Sequence, residues 1–98
     1  MEHLIHTLLV NGKGGLLVKY EIYSASRTLD YYGKVPEGTC RIIAYRLDIG
    51  DSVFKVIDTD LDIQSLFDAN KPQPNTWYSD GPDRVNLEMV IQHLKKMN

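Results

Sequence analysis

Hydrophobic and polar positions alternate most regularly in "LLVKYEIY", residues 16–23. Leu16, Val18, Tyr20 and Ile22 fall on one parity and Lys19 and Glu21 on the other, the period-2 pattern of a half-buried strand. "RIIAYRLDI" (41–49) and "DSVFKVID" (51–58) read as two further strands, joined at Gly50-Asp51 as a hairpin. The first ten residues fit two periods. Leu4, Ile5, Leu8 and Leu9 make a helical i, i+4 stripe, whereas Ile5 and Val10 before a turn suit a strand. A strand hairpinned onto 16–23 is the reading carried forward.

The period becomes helical after residue 60. In "DLDIQSLFDA" (60–69), Ile63, Leu66 and Phe67 share one side, and Asn70-Lys71-Pro72 supplies a stop. Leu87, Val90, Ile91 and Leu94 form the stripe of a C-terminal helix, with Asp83 as its N-cap and Lys95 and Lys96 at the end where cations suit the helix dipole. Between these elements, 24–39 is broken by Gly33, Pro36 and Gly38, and 71–82 by prolines and a glycine. The pattern predicts a single α+β domain over 1–98. Three to four antiparallel strands pack one face against the C-terminal helix, and the short helix covers an edge or an end.

Composition narrows the class. The 98 residues are 43% hydrophobic and 24% charged, which suits one small globular core. No apolar run approaches the roughly 20 residues that span a bilayer, and "MEHLIHTLLV" lacks the basic n-region of a signal peptide. A lone cysteine, Cys40, makes no internal disulfide, so a cytoplasmic protein without membrane association is expected. The net charge of −2 is uneven. Residues 1–49 carry six Lys/Arg against five Asp/Glu, and 50–98 carry five against eight. Without a basic stripe, direct nucleic-acid binding is not expected.

"VNGKGGLLVKY" (10–20) invites a phosphate-loop reading of Lys13. A phosphate cradle needs a helix after its glycines, and here a strand follows; neither G-x-x-x-x-G-K-[ST] nor G-x-G-x-x-G is present. Asn11-Gly12 and Gly14-Gly15 are therefore read as a turn using positive φ, with Lys13 a turn residue. Asp58, Asp60 and Asp62 alternate like calcium ligands, but an EF-hand loop from Asp58 meets Ile63 where it needs glycine and Ala69 where it needs glutamate. Thr59 or Asp60 is expected to cap the helix instead, with Asp62 in its first turn. His3 and His6 share a face only on a helix, and on a regular strand they point apart. No metal or cofactor is expected. Cys40 next to a strand reads as a small buried thiol rather than a nucleophile, and Tyr20, Tyr23 and Tyr45 as ordinary sheet residues.

"PNTWYSDGPDR" (74–84) is the most suggestive stretch, because it puts the only tryptophan, Trp77, with Tyr78 and Arg84 in an irregular loop. Trp, Tyr and Arg anchor binding interfaces more often than their abundance predicts. The alternative is that Trp77 folds back over the sheet and plugs the core of so small a domain, with Tyr78 half-exposed. With the carboxylates Asp58, Asp60 and Asp62, these residues point to a non-catalytic protein-binding module or inhibitor. Its partner would be another protein, one with a basic surface suiting the acidic stretch. In size and charge alone, bacterial immunity proteins, antitoxins and phage-encoded inhibitors are of this general sort. The alternatives are a small enzyme with a dispersed site and an assembly subunit that oligomerises through a sheet edge.

Overall fold

The structure, a computed structural model, describes residues 2–24, 40–70 and 85–97. Four strands, β1 (His3–Asn11), β2 (Leu17–Ser24), β3 (Cys40–Leu47) and β4 (Lys55–Asp58), form an antiparallel sheet in the order β1-β2-β3-β4. Two helices follow, α1 (Gln64–Ala69) and α2 (Leu87–Lys96). This is the α+β arrangement the sequence predicts: an antiparallel sheet, a C-terminal helix and one short helix. The ambiguous N-terminus is a strand paired with β2.

Both helices lie on one face of the sheet. Leu8, Val18, Tyr20, Ile22, Ile42 and Ala44 point to that side and cluster with Ile63 and Phe67 of the α1 segment, Val85, and Val90 and Leu94 of α2. Ile22 and Ile42 sit opposite each other across β2 and β3 at 0% and 1% exposure. Fully burying each such side chain contributes about 1.5–3 kcal/mol, so this layer holds the helices to the sheet.

The turns follow from backbone chemistry. Lys13–Gly15 makes one 3-10 turn between β1 and β2, with Gly14 at φ 71° and Gly15 at φ 80°. Those are left-handed values that glycine adopts without strain. Gly12 has φ −87°, so the expectation of a positive φ there is corrected, and the turn rests on the later pair. Gly50 at φ 86° turns β3 towards β4, with Asp51 N–H donating to the Asp48 carbonyl at 3.0 Å. β4 is shorter than the pattern suggested, because ladder pairing begins only at Lys55.

Two helix starts also differ from expectation. α1 begins at Gln64 rather than residue 60. Asp58 Oδ1 accepts from Asp60 N–H at 2.9 Å, and Leu61 N–H donates to the Ile42 carbonyl at 2.9 Å, holding this stretch against β3. Asp62, not Thr59 or Asp60, supplies the carboxylate at the helix start, accepting from Gln64 N–H at 2.8 Å. α2 begins at Leu87, capped by Asn86, whose Oδ1 accepts from Met89 N–H at 2.9 Å. The expected cap, Asp83, lies outside the described residues. No helix among the described residues is long and apolar enough to cross a membrane.

Both edge strands are bulged. β1 spends one extra residue, Ile5, between the pairs Leu4–Tyr23 and His6–Ile22. β4 does the same at Ile57, between Ala44–Asp58 and Tyr45–Val56. A bulge shifts the side-chain parity of all that follows. It corrects the reading of the histidines: His3 lies opposite Ser24 and His6 opposite Ile22, so both take the helix-bearing face.

Candidate functional site

Alternation in β2 and β3 sends a second set of side chains to the face that carries no helix among the described residues, called the helix-free face below. The register aligns them in rows across the strands. One row is Leu9, Lys19, Tyr45 and Val56, and the next is Thr7, Glu21 and Ile43. Leu4, Tyr23 and Arg41 follow, and Leu17 pairs with Leu47 at the other end. The rims are exposed, Leu9 at 58% and Val56 at 54%, while Lys19, Glu21, Tyr23, Ile43 and Tyr45 are half-buried among one another.

The polar groups at the centre of this face satisfy each other. Tyr23 donates its hydroxyl to Glu21 Oε1 at 3.3 Å, and Tyr45 hydrogen-bonds the same carboxylate. Lys19 Nζ stands 4.4 Å from the Tyr45 ring centre and 4.7 Å from that of Phe54, a double cation–π contact. Arg41 bridges to Glu2 at 3.0 Å and donates through Nε to the Thr59 carbonyl at 2.9 Å. The hydrogen bond to Glu21, with burial and the carboxylate's charge behind it, pushes Tyr45 up to about 12. Burial, then Glu21, raises Tyr23 as well. Both shifts move the titration of the phenols further above neutral pH and keep them protonated, opposite to what general acid–base catalysis at pH 7 asks of a side chain.

The residues singled out from sequence fall elsewhere. Asp58, Asp60 and Asp62 are exposed at the connection from β4 to α1. Asp58 and Asp62 each accept a local backbone hydrogen bond, and none of the three joins an ion pair among the described residues. Trp77, Tyr78 and Arg84 lie outside the described residues. Lys13 is an exposed turn residue. Cys40 lines a cavity of about 230 Å³ together with Asp60, Asp62 and Phe67. Burial pushes its thiol up to about 11, leaving it protonated at neutral pH and weak as a nucleophile. Among the described residues no three His, Cys, Asp or Glu side chains gather as a metal site.

Sequence reasoning placed Tyr23 and Tyr45 in strands but missed what they do together. A signal was present. Tyr23 shares the parity of Lys19 and Glu21 in β2, so the polar parity of that strand was also aromatic. Phe54, two residues after Ser52 in the β3–β4 connection, gave no periodic sign of joining it. Comparison with protein-family models, with curated proteins and with solved structures found no match.

Proposed function

We propose that the protein is a non-catalytic protein-binding module whose contact surface is the helix-free face of the sheet. The observation that carries this reading is the composition of that face. Tyr23 and Tyr45 lie on the inner strands between the exposed rims Leu9 and Val56, Phe54 stacks on Lys19 from just before β4, and the charges among them are already paired or stacked. Large, rigid aromatic side chains with few unpaired charges are what binding hot spots are made of. The half-buried charges lose little on docking because their partners come with them.

A second reading gives the exposed carboxylates Asp58, Asp60 and Asp62 to a partner with a basic surface, as an inhibitor would use them. It is favoured by their exposure and by their standing outside the described ion pairs. One experiment separates the two. Chemical cross-linking in the native host's lysate is run with wild type, Leu9→Glu/Val56→Glu and Asp58→Lys/Asp60→Lys/Asp62→Lys, each checked for folding by circular dichroism. On the first reading the Leu9/Val56 variant loses the cross-linked product and the aspartate variant keeps it. If the first variant keeps the product, the helix-free face is not the contact surface.

A further inference from the structure

We infer that the helix-free face binds a second copy of this chain, two sheets packing face to face about a two-fold axis. The inference rests on the proposed use of that face and names its partner.

Charge complementarity picks the partner. On β2 the outward side chains run Leu17, Lys19, Glu21, Tyr23. A two-fold axis lying across the strands at the level of residue 20 sets β2 antiparallel over its own copy. Lys19 then meets Glu21 of the second molecule, and Glu21 meets Lys19. The same operation lays Leu17 on Tyr23 and, along β3, Ile43 on Tyr45. Moving the axis one residue either way, half a row, opposes Lys19 to Lys19 or Glu21 to Glu21, and a whole row opposes Lys19 to Leu17 or Glu21 to Tyr23, so only one level pairs unlike charges. This is the self-complementarity an isologous interface requires. A strongly basic or acidic partner finds no such match here, since the central cation and anion balance.

The area is that of a small interface. The rows cross three strands each and four only in the Leu9–Val56 row, so with strands about 4.8 Å and rows about 6.8 Å apart the flat footprint is about 400 Å². Side-chain relief raises the accessible area above that, towards the about 800 Å² per partner of a standard stable interface. Two twisted sheets pack in this way about 10 Å apart with their strands within about 30° of alignment. The sheet edges are poorer docking places. Each edge strand carries a bulge, at Ile5 and at Ile57, that interrupts the regular ladder a second strand would need.

The test is sedimentation velocity and equilibrium on the full chain, wild type beside Lys19→Glu, Glu21→Lys and the double exchange Lys19→Glu/Glu21→Lys, with circular dichroism to confirm folding. The wild type sediments as a dimer. Each single reversal opposes like charges twice and weakens the dimer by at least about tenfold, and the double exchange restores it. Leu9→Glu/Val56→Glu, which leaves the central pair alone, also gives a monomer. A wild type that stays at 11.2 kDa at every concentration overturns the inference. So does a dimer indifferent to all four variants, since its contact lies elsewhere. A monomeric wild type whose Leu9→Glu/Val56→Glu variant still loses its lysate cross-link would leave the helix-free face as a binding surface for a different protein. Loss of neither signal would remove both.

Discussion

Leu8 and Leu9 are neighbours of identical chemistry that the fold sends to opposite sides, at 9% and 58% exposure. Truncating each to alanine isolates the difference between the two faces. Leu8 lies in the core cluster, and Leu→Ala at buried sites costs about 2–5 kcal/mol. Its place in an edge strand lets the surroundings relax, so about 2–3 kcal/mol is expected. Leu9 keeps more than half its surface in water, and removing its side-chain carbons loses about 0.5–1 kcal/mol of the about 1.5–3 that full burial supplies. The gap of about 2 kcal/mol is roughly thirtyfold in the folding equilibrium constant. Urea unfolding followed by far-ultraviolet circular dichroism measures it, at a concentration low enough to keep the chain monomeric and with equal slopes for both variants. Equal losses, or a larger loss at Leu9, would refute the reasoning. They would mean that β1 is slipped by one residue, which turns every side chain to the other face. Repeating the pair at high concentration links to self-association, because a dimer through the helix-free face makes the Leu9 loss grow with protein concentration.

Two further outcomes follow from single contacts. Asn86→Ala removes the side-chain acceptor for Met89 N–H and should cost about 1 kcal/mol in the same urea assay, whereas Asn86→Ser should recover most of it; no loss in the alanine variant would show that the cap contributes nothing. For Tyr45, the pKa raised to about 12 means the folded state holds the phenol's proton more tightly than the unfolded state, whose value is near 10. The associated stability is complete below pH 10 and is lost as pH rises through about 12. Carbon-13 NMR of labelled tyrosine should show that high titration in wild type and a fall towards the ordinary value in Glu21→Gln, and an unmoved Tyr45 would mean that Glu21 is not the cause.

The sheet was largely legible because β2 alternates cleanly, and its buried set Val18, Tyr20 and Ile22 is the one the pattern named. The stripe of α2 was legible for the same reason, with Val90 and Leu94 its buried members. Which face of β3 is buried was not, since Ile42, Ile43, Ala44 and Leu47 place apolar residues on both parities. The bulges at Ile5 and Ile57 were invisible, because one extra residue changes parity without changing composition. α1 was drawn too long because side-chain hydrogen bonds from Asp58 and Asp62 offer the backbone a rival to helix, a competition propensity alone does not resolve. The candidate site stayed hidden for a spatial reason. Lys19, Glu21, Tyr23 and Tyr45 come together only when β2 and β3 pair in this register.

The strand order β1-β2-β3-β4 has a kinetic consequence. Every strand pairs with its neighbour in the chain, so the sheet needs no crossover connection. The joints are not equal. Five residues separate Asn11 from Leu17, seven separate Leu47 from Lys55, and fifteen separate Ser24 from Cys40. Closing a loop three times longer costs about 1 kcal/mol more in chain entropy. On loop entropy alone the two outer hairpins close ahead of the β2–β3 seam, whose pairs run from Ser24–Cys40 beside the long connection to Leu17–Leu47 at the far end.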